Sequence, residues 1–208
     1  MGILDTKAAV ACTVAHESIQ QMRKYGDRRY YTHPLTVAAL VHTLPGTDEA
    51  MFAAACLHDV IEDVYPKNPA YGPAWVANNF GEEVLLLVHE LTNEFTKERY
   101  PDLNRNERKR RESLRLADIS DAAKVVKQAD LYHNSTEISP DTRFWGQWLK
   151  EKNELDELIG AWEDRECGFL TGGDVWSLVG SGEFKMLVAT AHEIDEFYKV
   201  ADWGLVTA

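Results

Sequence analysis

The sequence predicts an all-α protein. Apolar residues recur at helical spacing in one segment after another, and the breaks between these segments hold Pro, Gly or short polar caps. No series of alternating or β-branched runs is present to supply a sheet, and no internal repeat or low-complexity tract interrupts the pattern. With 208 residues, the chain can bury one substantial core or one core with an appended piece.

The first helix is expected from Asp5, as its N-cap, to about residue 25, ending near Gly26; Ala8, Ala11, Cys12, Ala15, Ile19 and Met22 form its apolar stripe. Residues 23–34, RKYGDRRYYTHP, are a turn dense in cations and Tyr. Pro34 suits the first turn of a second helix, LTVAALVHTL, and places His33 at its N-terminal edge. Pro45-Gly46 breaks the chain, Thr47 or Asp48 can cap, and a third helix is expected over residues 49–63. VYPKNPAYGP, with three prolines in ten residues, is a loop.

A short helix with Trp75, Val76 and Phe80 follows, closed by Gly81, and then a strongly apolar one over residues 82–90 through Leu85, Leu86, Leu87 and Val88. A polar loop leads into a basic helix from about Asn104. The next helix, residues 120–134, ends with Asp130 and Asn134 four apart on one face. Beyond Pro140, Trp145, Trp148, Leu155, Leu158 and Trp162 mark a long amphipathic helix whose aromatics read as packing surface; a final helix is expected near residues 184–200. The organisation expected is a core over residues 1–139 and a helical extension, residues 140–208, packed on it.

An apolar share of 45% and a charged share of 27% are those of an ordinary soluble protein. No run approaches the roughly 20 apolar residues that cross a bilayer. The start MGILDT matches the loose N-myristoylation pattern, but the match is short and lipidation is not expected. Cys12, Cys56 and Cys167 are widely spaced and form no CxxC pair, so reduced thiols and a cytoplasmic setting are expected. The net charge of −12 argues against nucleic acid or an anionic membrane as partner. Yet 12 of the 22 lysines and arginines lie in two stretches, residues 23–29 and 97–115, which would form one basic mouth if the fold brings them together. Self-association is left open.

Residues 54–63, AACLHDVIED, crowd one imidazole and three carboxylates onto the end of an apolar helix. At about 100° per residue, His58 would sit above Glu62 and Asp59 above Asp63. Burying such charges without partners is costly, so a cation is expected among them. His33, His58, Asp59 and Asp130 together offer two imidazoles and two carboxylates from three helices, a mixed N/O set that suits Mn²⁺, Fe²⁺ or Zn²⁺ and not a thiolate-held structural zinc. Glu62 and Asp63 would then orient water or act as general acid and base.

The order RKYGDRRYYTHP, LHDVIED, FGEEV, KQADLYHN resembles the HD-domain metal phosphohydrolases, and within them the hydrolase domain of the RelA/SpoT alarmone enzymes and their small stand-alone relatives. The resemblance covers residues 9–134. It implies His33, His58, Asp59 and Asp130 as metal ligands with manganese the usual ion, Glu62 and Asp63 as the catalytic acidic pair, and Arg23, Lys24 and Asn134 beside the nucleotide. The implied reaction removes the 3′-pyrophosphate of guanosine tetra- or pentaphosphate, and the basic loop of residues 97–115 could receive the distal phosphates. KQADLYHN departs from the family's common KLADKLYN or KLADRLHN by placing Gln128 where an apolar residue is usual; His133, next to the site, is read as a packing residue. A phosphohydrolase of another nucleotide (a dNTP or dNMP) and a non-catalytic metal-bearing nucleotide-binding module are the alternative readings.

Overall fold

The computed structural model describes residues 3–24, 27–138 and 140–161. Eight α-helices are found among them: α1 (Ile3–Ser18), α2 (Thr32–His42), α3 (Glu49–Leu57), α4 (Pro73–Phe80), α5 (Glu82–Leu91), α6 (Arg105–Ala117), α7 (Asp121–Glu137) and α8 (Trp145–Ile159). A π-helical turn (Val60–Val64) and a 3₁₀ turn (Pro69–Tyr71) lie between α3 and α4. The described residues contain no strand, only an isolated antiparallel bridge between Met22 and Arg29. None of their helices is long and apolar enough to cross a membrane.

Helix α3 is the hub. Its sequence EAMFAAACL is apolar nearly all round, and Phe52 through Leu57 are buried, as expected of a helix enclosed on all sides. It packs against α1, α2, α5 and α7; its run of alanines leaves room for close neighbours. Asp48, and not Thr47, caps it, accepting a hydrogen bond from Met51 N at 2.8 Å. Asn104 and Ser120 likewise cap α6 and α7 by accepting from Glu107 N and Ala123 N.

Two expected helices end early. Helix α1 stops at Ser18 and does not run to residue 25, and Asp5 lies within its first turn, where the helix dipole favours a carboxylate, instead of capping it. Gln20 adopts φ +51°, which ends the helix, and the chain then doubles back: Arg23 N donates to Arg28 O and Tyr30 N to Gln21 O. The third helix also does not run as one α-helix to residue 63. It gives way after Leu57 to the π-turn, in which Tyr65 N bonds Val60 O five residues back; such single π-turns re-aim side chains at functional sites.

Helix α5 turns Val84, Leu87, Val88 and Leu91 inward but leaves Leu86 64% exposed. In α8, Leu155 and Ile159 are buried, whereas Leu158, expected on the packing stripe, is 45% exposed. Trp162, Cys167 and the helix expected near residues 184–200 lie outside the described residues. Cys12 and Cys56 are buried free thiols, and burial pushes both well above the ordinary thiol range.

Helix α8 rests on α6 and α7, and Gln128 fixes its end. From inside α7, Gln128 Nε2 donates to the carbonyls of Ile159 at 2.5 Å and Gly160 at 2.9 Å. Gly160 ends the helix at φ +84°, and a Cβ there would come within 3.0 Å of that same Nε2. The polar departure in KQADLYHN thus has a structural cause. Replacing Gln128 by the near-isosteric Leu should destabilise the protein by about 1–3 kcal/mol, since the buried carbonyl of Ile159 and the more exposed one of Gly160 lose their donor. Urea unfolding measures this; a loss below about 0.5 kcal/mol would remove Gln128 from this role.

Candidate functional site

His33 enters from the N-terminal turn of α2, His58 and Asp59 from the turn after α3, and Asp130 from α7. His33 and His58 are 1% and 4% exposed and Asp130 5%. His58 Nδ1 lies 2.7 Å from the carbonyl of Ala55, which can only accept, so this nitrogen carries the proton and Nε2 faces the site. His33 Nε2 lies 3.1 Å from Asp130 Oδ1 and 3.8 Å from Asp59 Oδ2. His58 Nε2 lies 3.1 Å from Asp59 Oδ2 and 3.9 Å from Asp130 Oδ1.

Two of these four spacings, at 3.1 Å, match a coordination shell, and the other two, at 3.8 and 3.9 Å, are wider. Bonds of about 2.1 Å to one ion put neighbouring donors about 3.0–3.4 Å apart in octahedral or tetrahedral geometry. His58 Nε2, fully buried, has no partner of hydrogen-bond geometry in the described structure, an orphan that a cation would satisfy. His33, His58 and Asp130 each offer one ligand atom, all within 4.8 Å of one another.

The charges are arranged to match. Burial alone would lower the His58 pKa, but Asp59 and Asp130 beside it raise it to about 9. Burial works equally against Asp59, yet the two imidazoles hold it well below the usual carboxylate range. Asp130 is held low, against burial, by the Lys127 ammonium 2.8 Å away and by His33 and His58.

Glu62 and Asp63 leave the π-turn in different directions. Glu62 is gripped by Asn93, whose backbone N and Nδ2 donate at 2.9–3.0 Å. Asp63 Oδ2 accepts from Gln21 Nε2 at 2.7 Å, and Gln21 Oε1 is 2.8 Å from His16 Nδ1. Burial first, then Asp59, raises the Asp63 pKa to about 6. Tyr30 donates its hydroxyl to Asp59 Oδ2 at 2.7 Å.

Arg23 and Asn134 meet behind Asp130: Asn134 Nδ2 donates to Asp130 Oδ1 at 2.6 Å, and Arg23 Nη2 donates to Asn134 Oδ1 at 2.8 Å. Arg23 also binds the buried Glu137, as does Arg28. Lys24 Nζ lies 5.6 Å and Arg105 Cζ 5.1 Å from the ring centre of Phe144. The two basic stretches therefore do meet, at one aromatic side chain.

The basic helix expected from about Asn104 is α6, so the basic stretch 97–115 is a loop only in its first part, and much of its charge is paired: Arg110 and Arg111 with Glu107, Arg105 with Glu151, Arg115 with Glu112. Between α6, α7 and α8 lies a cleft of about 870 Å³ whose lining includes Asn93, Lys109, Lys127, Phe144 and Lys152. A smaller cleft of about 210 Å³ joins Glu62 and Asn93 to Lys97, Arg108 and Lys109.

Sequence reasoning missed the residues that hold this set: Gln21, Tyr30, Asn93, Lys127 and Glu137. Lys127, three residues before Asp130 on one helix, was readable from its spacing. Asn93 and Gln21 sit in irregular segments, where spacing carries no such signal.

With a folded pKa of about 6 against about 3.9 unfolded, Asp63 binds its proton more tightly in the fold. Its ionised form therefore costs stability, a cost absent below about pH 4 and complete above about pH 6. In metal-free protein Asp63→Asn should raise stability by about 2–3 kcal/mol at pH 8 and by little at pH 4. Denaturant unfolding across this range measures it, and a pH-independent difference would contradict the assigned environment.

The sequence pattern of the HD domain matches residues 11–139. Guanosine-3′,5′-bis(diphosphate) 3′-pyrophosphohydrolase MESH1 of Xenopus tropicalis is 34% identical over 126 residues, 60% of this chain and 64% of that one. MESH1 of Mus musculus is 35% identical over 127 residues, 60% and 65% of the two chains. The matches thus span just under two thirds of these relatives, and only 16% of the 38% identical GTP pyrophosphokinase rsh of Brucella melitensis biotype 1. The solved structure of a metazoan ortholog of SpoT that hydrolyzes ppGpp superposes with a TM-score of 0.64 at 23% identity, covering 86% of this chain and 96% of that one, a likeness of fold. With the domain pattern running through more than half of its length, and through every helix that contributes to the site, this chain belongs to the HD-domain family.

Proposed function

We propose that this chain is a metal-dependent phosphohydrolase that removes the 3′-pyrophosphate of guanosine tetra- or pentaphosphate. The observation that carries the reading is the buried cluster of His33, His58 and Asp130, with Asp59 Oδ2 3.1 Å from His58 Nε2 at its edge. The substrate rests on the activity named for the MESH1 relatives and on the basic cleft beside Glu62. The four residues would hold a divalent ion, manganese in this proposal. Such an ion, when bound, lowers the pKa of water and polarises a phosphoryl oxygen.

The chain's own groups complete the chemistry. Asp63, with a pKa of about 6 and its carboxylate steadied by Gln21, takes a proton from the attacking water. Glu62, fixed by Asn93, orients that water. The water oxygen bonds to phosphorus, the bond from phosphorus to O3′ breaks, and the proton returns to O3′, leaving GDP or GTP and pyrophosphate. Arg23, Lys24 and Asn134 are proposed to contact the nucleotide. Nε and Nη2 of Arg23 are already engaged by Glu137 and Asn134 and its guanidinium lies 5.2 Å from the centre of the Tyr30 ring, so any contact it makes with the nucleotide is beside these bonds. Arg105 and Lys109, which line both clefts, suit the distal phosphates. Residues 1–139 form the catalytic unit in this proposal, and the extension from residue 140 shapes the cleft through Phe144, Trp148 and Lys152. The buried thiols Cys12 and Cys56 fit a reducing cytoplasmic setting.

A nucleotide panel assayed with Mn²⁺ and with EDTA tests the proposal. Pyrophosphate release from guanosine tetra- and pentaphosphate, abolished by EDTA, is expected; turnover confined to dNTPs or dNMPs would overturn the substrate, and binding without turnover the enzyme. His58→Ala and Asp59→Ala should lose metal and activity together. Glu62→Ala should keep its metal yet slow turnover by about 10²–10⁴-fold.

Metal binding should also release protons. With its pKa raised to about 9, metal-free His58 is protonated at pH 7.5, and coordination requires the neutral ring. Calorimetry of Mn²⁺ binding at pH 7.5 in buffers of different ionisation enthalpy should report about one proton released, with affinity rising about tenfold per pH unit toward pH 9. A count near zero would contradict His58 as a ligand.

A further inference from the structure

We infer that His133 is a positioning residue that sets the tautomer of His33 and so turns the lone pair of His33 Nε2 toward the cation site. The inference rests on the metal-site reading above. The Nδ1 atoms of His33 and His133 lie 2.7 Å apart in the buried interior. The ring centroids are 4.9 Å apart and the planes differ by 26°. Faces in contact would lie about 3.5–4.0 Å apart, so the rings meet edge to edge through these two nitrogens.

Two nitrogens at that distance share one proton, one donating and the other accepting. With a cation bound, His33 Nε2 must be bare, so His33 carries its proton on Nδ1 and His133 Nδ1 accepts. His133 then holds its own proton on Nε2, which points toward Glu137 Oε1 at 3.9 Å, a favourable charge arrangement. Without the cation the bond can reverse: His33 Nε2–H donates to Asp130 Oδ1 at 3.1 Å, and His133 Nδ1–H donates to His33. The partner of His58, the Ala55 carbonyl, can only accept. An imidazole can do either, so the buried bond survives loading and unloading of the site.

Two measurements test this on the full chain. Long-range ¹H–¹⁵N NMR of histidine-labelled wild-type protein should show His33 protonated on Nδ1 and His133 on Nε2 when Zn²⁺-loaded; a proton on His133 Nδ1 in that state would overturn the inference. Titration with Mn²⁺ should show about 10–100-fold weaker binding for His133→Phe, which keeps the ring and removes the acceptor. His133→Gln, which can donate or accept, should recover most of the wild-type affinity. Wild-type affinity in a folded His133→Phe variant would overturn the inference alone, provided that His58→Ala abolishes binding. Failure of the wild-type protein to bind Mn²⁺ or Zn²⁺ would instead overturn the metal reading beneath it. Should His133→Phe not fold, by circular dichroism, the tautomers of the wild-type protein decide.

Discussion

Two carboxylates and two imidazoles with nitrogen–oxygen separations of 3.1–3.9 Å, three of the four residues buried, are the constraint on which this structure turns. Left to themselves, the carboxylates repel and the imidazoles lose hydration, so the fold must either supply positive charge or leave a place for it. It does both. Lys127 sits on Asp130, His58 is biased toward protonation, and the four ligand-type atoms still face one another without closing all their bonds. In the proposed site a divalent ion would displace the proton of His58 and leave Lys127 in place.

The helices are arranged around that need. Alanine-rich α3 brings α1, α2, α5 and α7 close to one axis, and each neighbour or its flanking turn contributes a supporting group. The turn after α1 sends Gln21 to Asp63, and the turn before α2 sends Tyr30 to Asp59. The turn after α5 sends Asn93 to Glu62, and α7 sends Asn134 to Asp130. Behind these, Glu137 gathers Arg23 and Arg28, so that Lys127 is the cation that faces the site directly.

Helix identity and the four converging residues were legible because both depend on spacing. Apolar period placed the helices; His-Pro at the start of α2, His-Asp at the end of α3 and Asp130 four before Asn134 marked where side chains leave the core. What spacing could not show is where a regular helix stops being regular. Gln20 in the left-handed region and the π-turn at residues 60–64 lie inside segments whose composition reads as uninterrupted helix. Both breaks are settled by long-range bonds, Gln21 to Asp63 across 42 residues and Glu62 to Asn93 across 31. His133, read as a packing residue, is buried, and its contact with a ring 100 residues earlier leaves no signal in spacing.

The division of labour between Asp59 and Asp63, two identical side chains four residues apart, follows from their partners. Asp59 faces His33, His58 and the Tyr30 hydroxyl and is held well below the usual carboxylate range. Asp63 sees a neutral amide, burial and the charge of Asp59, and is raised to about 6. Neighbouring carboxylates pushed in opposite directions are the signature of one permanent charge and one proton carrier. In the proposed reaction Asp59 is the ligand and Asp63 the base. Asp63 N bonds Asp59 O four residues back at 2.8 Å, as in an α-helix, before the wider bond from Tyr65 N to Val60 O, so the two carboxylates leave one turn and differ in what they meet: Asp59 the two imidazoles, Asp63 the Gln21 amide.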